Sequence, residues 1–406
     1  MNKDLGLEEV VEEPIDKRPK ILWVSDLVVP TGFSRVSHSI LKFLEEDYNI
    51  TGLGINYRGD PHKYKFPIFP ASVGGKIFGE DKLISLLKET RFDLIFILND
   101  AWVVDRYIDI IKRSVEEKDR PKIVVYFPVD SEFHQPEWYA NFDIVTTAVT
   151  YTEFGRGVVN HPLCCPELIL DIIPHGTDNT IFYKKYTNRR DAKIQLFRNE
   201  DAGNNFIFLN ANRNQPRKRL DTTMEAFKLF AEGRDNVKLY MHAGVVDAHI
   251  NIVKLAKRLG IDNKLIITSL ITGIQTVPES TLNSIYNAAD VGVNTAMGEG
   301  WSLTPIEHAM TGAAQIISRH SALAEIFDGC GEFVNPKLSF TFDNSMTVGK
   351  LVDPVDVATS MEKIYTDTPY RESLEKKALE KFSDPKYSWK EIAKLWNKVF
   401  IEAINR

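Results

Sequence analysis

Asp290-Val-Gly-Val-Asn-Thr-Ala-Met-Gly-Glu-Gly-Trp-Ser-Leu-Thr-Pro-Ile-Glu-His-Ala-Met310 decides how the chain is read. Asp290 to Ala296 reads as a strand, and Pro305 to Met310 as the start of a helix, with a glycine-rich loop between them. Thr304 suits the N-cap of that helix and Pro305 its first position. Gly298 and Gly300 flank Glu299, so the backbone there can approach a ligand closely. Seven residues separate Glu299 from Glu307. Carboxylates accept hydrogen bonds from vicinal hydroxyls, and the free amides of a helix start attract phosphate. A sugar nucleotide presents both kinds of group. Two blander readings stay open. Thr304-x-x-Glu307 also spells a capping box, in which Glu307 ties down its own helix. An acid in a glycine loop can also be merely solvated.

The same strand, loop and helix alternation extends outward from this stretch. Upstream of it, strands are predicted over Phe206 to Leu209, Val237 to Met241 and Lys264 to Thr268, and downstream over Gln315 to Ser318. The first half carries Ile21 to Ser25, Ile50 to Ile55, Leu94 to Leu98, Ile123 to Phe127, Ile144 to Ala148 and Leu168 to Ile173. These runs are apolar without alternation, as strands covered on both faces must be. Helical stretches such as Lys82 to Lys88 and Val104 to Glu117 fall between them. The fold class is therefore α/β, with two Rossmann-like doubly wound domains facing across a cleft. Pro174 to Asp178 is turn-rich and serves as the hinge. The expected divisions are a flexible tail over 1–19, a first domain over 20–174, a second over 175–384, and a terminal segment over 385–406. In that segment Trp389, Ile392, Ala393, Trp396, Val399 and Phe400 recur at helical spacing, the pattern of a packing helix.

Composition narrows the class. The chain has 406 residues, 43% hydrophobic and 26% charged, with a net charge of −6. That balance gives no general attraction to nucleic acid or acidic membrane. No apolar run reaches the length of a membrane span. Three cysteines, two of them adjacent at Cys164 and Cys165, make neither a disulfide framework nor a zinc spacing, which suits a reducing cytoplasm.

Further chemistry lies in the loops after the strands. Arg213, Arg217, Lys218 and Arg219 crowd the loop before the helix around Thr222 to Phe230. Cations there oppose the helix dipole unless an anion sits among them. A diphosphate held chiefly by Arg213 and Lys218 is one reading, and a solvated basic loop the other. Asp130 ends another first-domain strand and faces the expected cleft, or else caps the following turn. Gly32 sits in the first strand-to-helix loop, which lacks the three-glycine dinucleotide spacing. The segment Asn56 to Lys65 mixes basic and aromatic residues and could meet an acceptor or simply be solvated. No Asp-x-Asp pair is present to hold a metal-bound diphosphate, so Lys and Arg would neutralise the leaving group.

Taken together, the Glu-x7-Glu segment, the Arg213/Lys218 loop and the strand order resemble a GT-B fold glycosyltransferase, closest to the retaining glycosyltransferase family four. The likeness runs from about Lys20 onward. It includes Ile173-Pro-His-Gly-Thr-Asp178, Gly349-Lys-Leu-Val-Asp-Pro354 and the terminal Ser-Trp-Lys helix. Pro30-Thr-Gly-Phe-Ser-Arg-Val36 and Asn210-Ala-Asn-Arg-Asn-Gln-Pro-Arg-Lys-Arg219 resemble a viral-type branch. The resemblance implies sugar transfer from a nucleotide sugar to an acceptor hydroxyl, metal-independent and with retained configuration. It implies that Glu299 contacts the donor sugar and Glu307 the ribose. The amides of Gly300, Trp301, Ser302, Leu303 and Thr304 would reach sugar and diphosphate. Arg213 and Lys218 would stabilise the leaving group, and Gly32 would lie near phosphate or acceptor. The family often has a histidine touching the donor sugar where this chain has Pro128-Val129-Asp130, so a donor without a hydroxymethyl, such as a pentose, is expected to be accepted. No cofactor is implied beyond the donor. The acceptor could be a glycan, lipid, protein or modified nucleic-acid base. Rival readings are an inverting transferase, a nucleotide-sugar epimerase, or a non-catalytic subunit that binds a nucleotide sugar.

Overall fold

Leu94-Ile-Phe-Ile-Leu98 is apolar at every position, so as a strand it needs cover on both faces, and all five residues are buried. It lies at the centre of a seven-stranded parallel sheet. The computed structural model describes residues 16–73 and 77–406. The strands of this sheet are β1 (Lys20–Ser25), β2 (Asn49–Gly54), β3 (Ile68–Pro70), β4 (Leu94–Leu98), β5 (Lys122–Phe127), β6 (Thr147–Thr150) and β7 (Leu170–Ile172), in the order β3-β2-β1-β4-β5-β6-β7. A second parallel sheet holds β8 (Phe206–Asn210), β9 (Val237–Met241), β10 (Leu265–Ile267), β11 (Val291–Asn294), β12 (Ala314–Ser318) and β13 (Glu332–Val334), in the order β10-β9-β8-β11-β12-β13. An antiparallel hairpin, β14 (Leu338–Thr341) and β15 (Val348–Leu351), follows. Chain order reverses between β1 and β4 in one sheet and between β8 and β11 in the other. Ligands of open α/β sheets bind beyond the strand ends at such points.

The sequence reading missed β3, β13 and the hairpin. Pro67 and Pro70 mask β3, and β13 and the exposed β14 lack the continuous apolar run that revealed equally short strands such as β7 and β10. The expected strand over Ile144 to Ala148 begins later, at Thr147, because Phe142–Ile144 winds into a single 3-10 turn that buries Phe142. The helix expected over Val104 to Glu117 runs instead over Ala101–Ser114. Most of the expected tail, residues 1–15, lies outside the described residues.

The helix Trp389–Asn405 opens at Ser388, whose hydroxyl accepts the Glu391 N–H at 3.3 Å. Its apolar stripe lies on the first sheet. Trp396 packs edge-on to Phe96 and Tyr126, at 5.0 and 4.6 Å, and Phe400 meets Trp23 at 6.2 Å. The Trp389 N–H donates to the Thr177 carbonyl at 3.2 Å, which ties this helix to the hinge segment. His175, in that segment, is buried, with Nδ1 2.7 Å from the oxygen of Tyr126, whose hydroxyl donates to the Ile173 carbonyl at 2.7 Å. Burial pushes the His175 pKa down to about 3, so the ring is neutral.

Candidate active site

The two loops at the second sheet's switch point meet. After β11 the chain enters the glycine loop, then the helix Leu303–Ala309. The N-cap is Ser302, not Thr304, and Leu303 takes the first helical position in place of Pro305. Ser302 holds a left-handed φ of 75°, and its hydroxyl accepts from the Asn294 amide at 3.2 Å. Pro305 is tolerated in the first turn because an N–H there would have no helical partner. The capping box does not form. Glu307 pairs with Arg35 of the first domain through Oε1 and accepts the Tyr286 hydroxyl at Oε2, 3.1 Å away. The N–H groups of Gly300, Trp301 and Ser302 donate to no protein acceptor among the described residues.

Glu299 is not solvated; its exposure is 3%. Both its oxygens contact Lys218 Nζ, at 2.5 and 2.6 Å, and Oε2 lies 3.1 Å from Arg217 Nη1. The Asn294 amide reaches Oε1 at 3.3 Å, and Ser321 Oγ accepts the Glu299 N–H at 2.8 Å. Burial alone would raise the carboxyl, but Lys218 and Arg217 bring it down to about 2. At Lys218 the balance reverses, and burial outweighs Glu299 to hold the ammonium below its usual range. The two shifts pull stability in opposite directions. A buried ion cluster of this kind adds little net stability. Its use is a fixed field into which a charged ligand can bind.

Arg217 also crosses the cleft, with Nε 3.1 Å from Asp130 Oδ2. Asp130 and Glu299, from different domains, thus share one guanidinium. The glycines permit this approach. A Cβ on Gly298 would stand 1.8 Å from the Asp130 carbonyl oxygen, and one on Gly300 would stand 2.6 Å from Pro128 Cβ. The close approach they allow is therefore to the opposite domain's backbone. The hairpin adds to closure. Glu132 and Val348 exchange two backbone hydrogen bonds of 2.9 Å, and Lys350 pairs with Glu132 at 3.0 Å.

The remaining candidates lie apart from this cluster. Arg213 grips Asp247 through Nε and Nη2, at 2.7 and 3.2 Å. Arg219 holds Asp221 in the same two-pronged way, at 3.0 and 2.7 Å. Every cation of the basic loop thus sits on a carboxylate, with Arg213 itself still exposed to solvent. Gly32 opens the helix Gly32–Leu41 behind the cap Thr31, and a Cβ there would meet nothing within 4 Å. His134 is buried with Nδ1 2.7 Å from the Tyr139 hydroxyl, and burial lowers its pKa to about 4. That is a core histidine. The residues missed by the sequence reading are Arg217 as a partner of Glu299, together with Arg35, Tyr286, Asn294 and Ser321. Arg217, Asn294 and Arg35 lay inside stretches already singled out, but with no role assigned; Tyr286 and Ser321 carried no local signal.

Residues 191–381 match the family Glycosyl transferases group 1. Over 184 residues, 45% of this chain, the sequence is 26% identical to the serotype-specific mannosyltransferase WbdA of Escherichia coli, and the match spans 20% of that protein. The chain thus covers about a fifth of that relative's length. Among solved structures, the Anabaena protein HepE in complex with UDP and glucose superposes with a TM-score of 0.71 at 14% identity, covering 95% of this chain and 100% of that one. Sucrose-phosphate synthase from Thermosynechococcus elongatus superposes with a TM-score of 0.73 at 15% identity, covering 95% and 99%. These likenesses identify the architecture as GT-B.

Proposed function

We propose that this chain, GT-B in fold and matching the group 1 glycosyltransferases over residues 191–381, moves a sugar from a nucleotide-sugar donor to an acceptor hydroxyl with retention of configuration. One observation carries this reading. At a single switch point, buried Glu299 lies on Lys218 and Arg217 beside backbone amides that have no acceptor among the described residues. The GT-B neighbour HepE, solved in complex with UDP and with UDP-glucose, supports a nucleotide-sugar donor.

Glu299 accepts hydrogen bonds from the donor sugar, and the amides of Gly300 through Thr304 meet sugar and diphosphate. Glu307 takes the ribose hydroxyls after giving up Arg35. Lys218, with Arg213 once it leaves Asp247, neutralises the departing diphosphate without a metal. Gly32 leaves open space beside phosphate or acceptor. The bond from the anomeric carbon to phosphate breaks as the acceptor oxygen attacks from the same face, and the acceptor proton passes to the leaving phosphate. The protein's contribution is positioning and charge stabilisation. Pro128-Val129-Asp130 stands where the resembling family carries its histidine, and a pentose donor fits the loss of that side chain. The reaction is placed in the cytoplasm.

A thermal-shift screen over nucleoside diphosphates and their hexoses and pentoses tests the reading. A ligand at 100 times its dissociation constant stabilises the fold by about 2.7 kcal/mol. Stabilisation by one nucleotide class, and a product anomer matching the donor's, are the expected results. An unmoved transition across the panel would refute donor binding, an inverted product would refute retention, and turnover with hexose but not pentose donors would refute the pentose assignment.

Gly298→Ala tests closure. The added methyl collides with backbone, so the domains are expected to stay apart and turnover to fall by about 10²-fold. Small-angle scattering with nucleotide bound reads the closure directly. A wild-type profile together with wild-type turnover would show that the loop yields instead.

A further inference from the structure

The first domain brings its own chemistry to the cleft. At its switch point an acid directly follows β1, Asp26, and another comes two residues after β4, Asp100. Asp26 is already engaged, with the Thr31 hydroxyl on Oδ2 at 2.7 Å and the Asn56 amide on Oδ1 at 3.0 Å. Asp100 differs. It is exposed, and although it stands at the N-cap of the helix Ala101–Ser114 its carboxylate makes no cap bond. Solvent reaches Asp100, yet protein surrounds it closely. That enclosure, and then the charge of Asp130, hold its pKa up at about 6.

Two stranded donors lie nearby, one from each domain. Tyr151, just after β6, is 3% exposed, and its hydroxyl has no partner. Burial, and then the Asp100 carboxylate, keep that phenol protonated. Trp301, in the glycine loop opposite, is 8% exposed, and its indole N–H has no partner. His175 stands between them, with ring centroids 4.2 Å from Tyr151 and 5.4 Å from Trp301. It cannot satisfy either by Nδ1, which is already engaged by the Tyr126 oxygen. A hydroxyl, an indole N–H and a carboxylate that engage no partner among the described residues are matched by a ligand rich in hydroxyls.

We propose that Asp100 and Tyr151, with the Trp301 indole opposite, form the subsite for a neutral, polyhydroxylated acceptor group. Asp100 accepts from an acceptor hydroxyl, while Tyr151 and Trp301 donate to its oxygens. Neutrality follows from the surroundings. Asp26, Asp100 and Asp130 follow three adjacent strands, and Arg217 is already shared by Asp130 and Glu299. A phosphorylated group would meet these carboxylates, while the Arg217 guanidinium beside them is already engaged. The assignment makes Asp100 and Tyr151 specificity-determining residues, and it rests on the glycosyl-transfer reading.

The test uses the full chain saturated with UDP or GDP, whichever binds, and saturation-transfer NMR on free glucose, mannose, arabinose and glucose 6-phosphate. Transfer to at least one neutral sugar is expected, with the signal reduced about tenfold in Tyr151→Phe and in Asp100→Asn. Glucose 6-phosphate should give the weakest signal. Nucleotide affinity should remain within about twofold of wild type in both variants, because a conservative change outside the donor site leaves its contacts intact; that also shows both are folded. Wild-type signals in both variants, an equal signal from glucose 6-phosphate, or no transfer to any neutral sugar with nucleotide bound would each overturn the subsite. Failure of both nucleotides to bind would overturn the parent reading as well, and is seen separately.

Discussion

Lys218→Ala is expected to lower turnover by about 10²–10³, the loss typical of one donor stabilising a developing negative charge. Lys218 touches both oxygens of Glu299. Its removal takes a cation from the departing diphosphate and leaves Glu299 held by Arg217 and Asn294. The fall should appear in kcat at saturating donor, since the diphosphate gains charge only as it departs. A rate within about threefold of wild type, or under 1 kcal/mol of barrier, would remove Lys218 from that role. Arg213→Ala reads the other half of the site. Arg213 is engaged with Asp247 in the structure. An equal loss would mean that the donor draws it away from Asp247, and a negligible loss that it stays there.

Glu299→Gln should cost both activity and stability. The amide keeps the shape but removes the charge facing two partly exposed cations, Lys218 and Arg217 at 13% and 27% side-chain exposure, so the loss is expected at or below the roughly 3 kcal/mol lower end for a fully buried pair. The loss should be read by urea unfolding alongside donor turnover, which should also fall by about 10²-fold or more. The pH dependence has a definite sign. The wild-type carboxyl is held at about 2, against an ordinary 4.5. Its contribution is present above about pH 4.5 and drains away as the pH falls toward 2. The variant should lack that acid limb. Equal stability of the two proteins at neutral pH would show that burial of the charges cancels their attraction.

Much of the architecture was legible because it is local. Leu94 to Leu98 and Val237 to Met241 declare themselves as doubly covered strands by composition alone, and the structure has both with the predicted bounds. The amphipathic stripe from Trp389 to Phe400 is equally plain. The short strands β3 and β13 were not legible, nor was the hairpin β14–β15, although β7 and β10, equally short, showed as apolar runs. The helix after the glycine loop was seen, but its start was placed late. A side-chain hydrogen bond from Asn294, eight residues upstream, supports the unusual backbone of Ser302.

By itself the sequence determined two α/β halves, the loops that end their strands, and the clustering of acids and bases in those loops. Periodicity and turn chemistry act over a few residues, so no distant information was needed. Only the tertiary structure decided the partners. Of four neighbouring cations, Arg217 and Lys218 turn toward Glu299, about eighty residues away, while Arg213 and Arg219 turn to Asp247 and Asp221. Arg35 reaches Glu307 across 272 positions. Spacing along the chain cannot choose among such partners. The choice depends on how two separately folded sheets dock, and on which side chains that docking takes out of water.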